Sequence, residues 1–532
     1  MVRSFAFLLA ALPLLAAQDT AKEAGSIRGT IKEMPGGTPA PEVSVRLHGR
    51  PTSKTAITDS AGRYEFRDLQ PGEYFLSTHG DRYGKTSSGI LAPPRRVRLL
   101  PGQNLVADFE VKTEAGISGR VLDRDRNPVP NARIQVWARV FVDGSPSFGL
   151  CRSAVTNDLG EFRVSGLADG RYYLSAGTKL LQFRKRPAGA KPDAKPKLAD
   201  VGVFYPSEPS VVSAAPIYLG AGEQREGIDL VLPRVETYCA AGSVAAGAAG
   251  SGSLGLIASH GGWRSYVAHG TFLGNDEFEV CGIPPGSYRL EASTNKDGGY
   301  LSFGNTEFAI GERHVSLDPV HLASGVKVSG KAIVAGADPR DPFPSGIRVS
   351  LTPKDGFGIR KGEEISAVIG ASGDLTIPNV FPDERWFRFN RMPSGYYVKE
   401  ARMGAQDARR ELVRPGSGEL TIVLASDGAS VSGSVADQDR PLPSEVIVVL
   451  APASLPQTGV PGLVQTWWVD QTGGFEFDRV APGKYLLLAF TGLAPGEGEN
   501  PDFLRGHMSK AEELTVGPRD KKSVNLKVLN AH

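Results

Sequence analysis

The sequence predicts an all-β protein, a tandem array of about five small antiparallel β-sandwich modules behind a signal peptide. Three observations lead there. Short stretches alternate apolar and polar residues, as Val43, Val45 and Leu47 do, which gives a strand one buried face. The 64 glycines and 39 prolines are about a fifth of the 532 residues, more than an average globular chain carries and less than disorder requires. One pattern of strands and turns also returns five times, at about 90–110 residues per copy, enough for an independent core. No heptad run is present, which excludes a coiled coil. Lys and Arg number 60 against 58 Asp and Glu, so the net charge of +2 supplies no global field for nucleic acid or an anionic membrane.

Residues 1–17 come first. Arg3 precedes an apolar run from Phe5 to Ala17 that is broken by Pro13 and too short to span a bilayer, the form of a secretory signal peptide cleaved before Gln18. No later segment is apolar enough to cross a membrane, so the mature chain is expected to be exported, periplasmic or secreted, without a span.

Module one, 25–112, holds Gly29 in its first strand, then a Pro-rich turn and the strand of Val43 to Leu47. Thr58-Asp59 and Gly62 form a tight turn, where Gly takes φ > 0 and the Asp side chain bonds nearby backbone. Tyr64 and Phe66 mark the next strand, Pro71-Gly72 a second turn, and Tyr74 a ring that seals one end of the core. Module two, 115–235, repeats this with Gly160 and Tyr172. It carries an insertion at 178–200 whose Arg184, Lys185, Arg186, Lys191, Lys195 and Lys197 stand among three prolines, a solvated loop by composition. Module three, 237–323, keeps Pro285-Gly286 and Tyr288 but lacks the Thr-Asp pair. Module four, 326–426, has Phe381-Pro382-Asp383 in place of Pro-Gly. Module five, 429–530, restores Gly473, Pro482-Gly483 and Tyr485.

These units resemble the carboxypeptidase regulatory-like domain, a transthyretin-like sandwich placed by fold with carbohydrate-binding-like modules. The residues that carry the resemblance are GTIKEMPGGTPAPEVSVRL and TDSAGRYEFRDLQPGEYFL in module one, and GSVADQDRPLPSEVIVVLAP and DQTGGFEFDRVAPGKYLLLAF in module five. Further stretches at Val201–Val235, Ser394–Asp407 and Gly492–His507 resemble large exported acidobacterial proteins built of such modules. The resemblance implies the fold and, through it, an affinity for carbohydrate. The shared residues are turn and core residues and name no ligand.

No residue set for catalysis is found. None of the eight His sits at i and i+4 around a Glu, and neither a G-x-S-x-G elbow nor a phosphate-binding Gly loop occurs. Asp123 and Asp125, like Asp437 and Asp439, are read as solvated turns, because a calcium loop needs several more oxygens at set spacing. The reading is therefore a non-enzyme with no cofactor and no metal.

Sugar rings stack on exposed aromatic faces. Trp467 and Trp468 are neighbours in a strand and point to opposite faces, so one of them leaves the core, to meet a ligand or to pack under a loop or the next module. Trp263 and Tyr266 in HGGWRSYVAHG form a second candidate platform, with core or edge packing as the alternative. Trp137 is read as sheet packing, and Trp386 stays open between packing and exposure. Aligning module three on module one puts Cys239 opposite Ser26 and Cys281 opposite Arg67, on one side off the core, which predicts a disulfide contributing about 2–4 kcal/mol. Cys151 is left as a buried thiol. Two functions follow: an array that binds carbohydrate or another cell-surface polymer, or an envelope spacer or protein-interaction scaffold with no small ligand.

Overall fold

The computed structural model describes residues 24–531, apart from 50–51, 86–94, 178–179, 187–194, 246–250, 261–262, 274–276, 297–298, 339–340, 355–364, 438–444 and 470–471. Residues 1–17 and Asp439 thus lie outside the described residues.

Among the described residues the regular elements are almost all strands, and one topology recurs in each block. The opening strands are Gly25–Met34, Ala115–Leu122, Arg234–Ala245, Val326–Val334 and Ala429–Ala436. Each pairs antiparallel with the strand that follows the block's glycine turn or its counterpart: Arg63–Leu69, Glu161–Leu167, Glu277–Ile283, Asp374–Val380 and Gly474–Val480. Each of these five pairs shifts register near its start, as between Gly25 and Ile27 or Ala429 and Val431. The closing strands of the block return parallel to the opening one. In modules one to four a second sheet faces the first, in module one Ser44–Gly49 between Ser53–Ile57 and Gly72–His79, whereas in module five the closing strand Lys521–Asn530 pairs with strands of both layers and joins them into one sheet. Apolar alternation points both sheets inward, and five large buried clusters result, drawn in turn from the five blocks.

The repeated residues have local causes. A Cβ on Gly433 would lie 1.7 Å from the carbonyl oxygen of Val524, and one on Gly29 2.0 Å from that of Ala107, so the closing strand passes where only glycine leaves room. The Thr58 hydroxyl donates to the Ala40 carbonyl at 2.7 Å and accepts from the Val43 amide at 2.9 Å. The Asp59 carboxylate accepts from the amides of Ala61 and Arg63, which closes the Gly62 turn at φ 70°. Thr156 and Asn157 repeat the arrangement in module two.

After each Pro-Gly turn or its equivalent, the tyrosine hydroxyl donates to the carbonyl four residues back: Tyr74 to Gln70, Tyr172 to Ala168, Tyr288 to Pro284 and Tyr485 to Ala481, at 2.6–2.9 Å. The ring fills the end of the core while its one polar atom is satisfied. Module four solves the same problem with other chemistry. Buried Arg385 stands in the tyrosine's place, donates from Nε to Asp383 at 2.7 Å and lies 5.9 Å from the Phe381 ring centre.

Two features depart from the expected picture. The described parts of the 178–200 insertion are not a free loop: Leu181–Gln182, Arg184–Lys185 and Lys197–Asp200 are short strands paired with module three. Module five also inserts a helix, Pro501–His507, started by Asn500, whose side chain accepts from the Phe503 amide. The helix covers Phe490 of the strand Gly483–Thr491, which is fully buried on the side away from the module's main core with its ring 5.1 Å from Phe503. Among the described residues no helix is long and apolar enough to cross a membrane.

Candidate functional site

The aromatic candidates do not assemble into one platform. Trp467 and Trp468 end the edge strand Gln465–Trp468 of module five, opposite Val448 and Ile447. Register sends Trp467 inward, half-buried against the core and edge-on to Phe477 at 6.1 Å. Trp468 turns outward and is 36 % exposed. Trp263 pairs with His260 at the start of a module-three strand, and its side chain lies outside the described residues. Tyr266 is half-buried, its hydroxyl donating to Glu291 at 3.3 Å, with its ring packed over Gly255. Trp137 is buried, donating to Ser175 at 2.9 Å, and Trp386 is half-buried.

Cys239 and Cys281 face each other across the first antiparallel pair of module three and are joined by a disulfide. Glu279 lies beside them, and these three side chains form the one metal-like cluster among the described residues. The sulfurs are bonded to each other, which removes the thiolates a metal would need. A surface cleft of about 540 Å³ runs past His314, but its Nδ1 already accepts from the Cys239 amide at 2.9 Å. The Asp123 carboxylate accepts from the Asp125 and Asn127 amides and from the Asn127 side chain, so it closes its own turn.

A cluster of partly buried charge lies elsewhere, between modules. Strands Arg133–Val142 and Ser145–Val155 form a long hairpin whose turn, Asp143-Gly144, has φ of 52° and 72° at the two positions. The turn inserts into module five. The Asn500 side chain donates to the Gly144 carbonyl at 2.6 Å, and the Phe141 amide donates to the Pro495 carbonyl at 2.7 Å. A Cβ on Gly144 would meet the Glu499 carbonyl oxygen at 2.3 Å, and one on Gly459 the Asp143 carbonyl oxygen at 1.7 Å. The Asp143 carboxylate binds the guanidinium of Arg388, on the module-four strand Arg385–Asn390. Burial raises the Asp143 carboxyl against the pull of Arg388. Burial, and then Asp143, push the Glu499 carboxyl up to about 7.

Other contacts extend this junction. Lys112 of module one reaches Asp169 of module two at 2.9 Å and Glu445 of module five at 3.4 Å. Modules four and five are tied by the Gly395 amide on the Asp478 carbonyl and the Arg519 amide on the Asp427 carbonyl. Sequence reasoning missed all of these. The Asp-Gly pair between alternating residues was a readable hairpin signal, but nothing local names the partner of its carboxylate.

Residues 26–112 match the family of the carboxypeptidase regulatory-like domain. A search of curated proteins finds no match. Among solved structures the chain is similar to the Bacillus anthracis TIE protein, at 12 % identity and TM-score 0.18 over 56 % of this chain and 51 % of that one, so it spans about half that protein's length. It is also similar to the minor pilin of Streptococcus agalactiae, at 12 % identity and TM-score 0.24 over 40 % of this chain and 96 % of the pilin. A third is the major pilin subunit of Bacillus cereus, at 12 % identity and TM-score 0.16 over 76 % of this chain and 99 % of the pilin.

Proposed function

We propose that this is a non-catalytic, exported cell-envelope protein whose modules form a folded-back scaffold for a protein partner. The observation that carries the reading is the junction of Asp143, Gly144, Arg388 and Asn500, which ties module two to modules four and five across more than 240 residues of chain. A plain spacer has no use for such a contact, because it shortens the reach of the array. The residues common to the repeats support the non-catalytic part, since each is spent on a turn, a close approach or a core end. Small-angle scattering is the test. Combining Asn500→Ala with Arg388→Met should increase the radius of gyration while far-UV circular dichroism stays unchanged. An unaltered radius would remove the folded-back junction from the account.

A second reading rests on Trp468. Its outward indole is an exposed aromatic face at a sheet edge, the kind of surface on which a sugar ring stacks. Affinity electrophoresis in polysaccharide gels should show retardation that Trp468→Ala abolishes. Trp467→Ala is a poor substitute, because that ring belongs to the core. Mobility equal for wild type and Trp468→Ala in every gel counts against carbohydrate binding at this ring.

A further inference from the structure

Module three is closed by residues that do not belong to it. Within five residues the segment Leu181–Lys185 crosses from the edge of one sheet to the edge of the other. Leu181 and Gln182 pair parallel with Ala268 and His269. Arg184 and Lys185 pair antiparallel with Glu279 and Phe278, and the Arg186 amide donates to the Glu277 carbonyl at 3.0 Å. Between the two pairings Phe183 turns into the core, edge-on to Phe278 at 5.6 Å. The receiving surface is shaped for it. A Cβ on Gly270 would come within 2.6 Å of the Phe183 Cβ, and one on Gly282 within 3.1 Å of Leu181. Of the cationic residues that follow, Arg184 lies in register opposite Glu279 and Arg186 is bonded through its amide to Glu277, so both run beside an acidic rim, while Lys185 lies opposite Phe278.

The corresponding edge accepts backbone from outside in other modules too. The Lys85 amide of module one donates to the Gly166 carbonyl of module two at 3.1 Å, and the Gly395 amide of module four to the Asp478 carbonyl of module five. Pairing at a sheet edge supplies affinity without regard to sequence, and side-chain pockets supply the selection. Of these three edges, the module-three one combines apolar seats for two side chains with an acidic rim.

We propose that the flank of module three between Trp263–Leu273 and Glu277–Ile283 is a peptide-binding groove that takes an extended peptide with apolar side chains two residues apart followed by cationic ones, and that Leu180–Arg186 is its resident ligand. The proposal is independent of the scaffold reading. A tethered ligand acts at an effective concentration on the order of mM, so a free peptide meets the groove only in the small fraction of molecules whose segment is released.

The test uses the full chain and a fluorescent synthetic peptide of Leu180–Arg186, read by anisotropy. The double variant Leu181→Asp with Phe183→Asp releases the resident segment and should bind the peptide at least tenfold more tightly than wild type does. Adding Gly270→Val to that variant should abolish binding, and a scrambled peptide of the same charge should not bind. Folding of module three is followed by near-ultraviolet circular dichroism and by retention of the linked Cys239–Cys281 peptide. A folded double variant that ignores the peptide overturns the proposal, as does equal binding by wild type or by the scrambled sequence. If the double variant loses the module-three fold, Phe183→Gly takes its place, with the same binding expected. Loss of fold there as well makes the segment a core strand and not a ligand, and the proposal fails.

Discussion

Between pH 5 and pH 7.5 the midpoint of the transition that unfolds module five should fall in the wild-type chain and should fall much less in Glu499→Gln. The Glu499 carboxyl is held up to about 7 by burial and by Asp143, with Arg388 opposing, whereas its ordinary value is 4.5. The folded chain therefore binds this proton more tightly than the unfolded one. Its stabilising effect is complete below about pH 4.5 and is lost as the pH climbs toward 7. The slope reaches about 1.4 kcal/mol per pH unit and the total about 2–3 kcal/mol. Asp143 is raised for the same first reason and adds in the same direction. Removing the cation should sharpen the effect. Arg388→Met leaves two neighbouring carboxyls without a guanidinium and should cost about 2–3 kcal/mol at pH 7.5. That is less than the roughly 3–5 kcal/mol of a fully buried pair, because the Arg388 side chain is 33 % exposed. Identical pH profiles for wild type and Glu499→Gln would show that this carboxyl does not govern the junction.

The second large effect is expected in module three. Cys239→Ser combined with Cys281→Ser opens a cross-link between residues 42 positions apart and should lower the stability of that module by about 2–4 kcal/mol. A chain of several cores unfolds in more than one step, so a guanidinium titration should show one transition moving while the others hold. Reductant added to wild type should reproduce the shift. Cys151 provides the internal control. It is 8 % exposed and burial pushes its thiol up to about 11, so it should alkylate only after unfolding. A titration unchanged by the double substitution would mean that the cross-link constrains nothing in the unfolded chain.

Local rules made much of the fold legible. Gly29, Thr58, Asp59 and Tyr74 announce themselves because each satisfies a need within its own turn or strand, and the glycine returns in all five repeats while the tyrosine returns in four. Alternation told that one of Trp467 and Trp468 must face outward. Only the register with Val448 and Ile447 decides that it is Trp468. The 181–186 segment was read from its basic residues and the prolines that follow. Its two apolar side chains, Leu181 and Phe183, are too short a pattern to reveal a strand whose partner lies about 85 residues later in the chain. The Asp143–Arg388 pair spans 245 residues, and no periodicity reaches so far. The arginine at position 385 was hidden differently. It replaces a tyrosine by unlike chemistry, so the repeat is broken in letters and kept in structure.

The parallel return of each closing strand beside its opening strand has a mechanical consequence. Two adjacent strands running the same way put the entrance of a module at one end and its exit at the other. Tension applied along the chain then pulls those neighbours past each other lengthwise. Every rung between them shares the strain at once, where a hairpin pulled from its open end would unzip rung by rung.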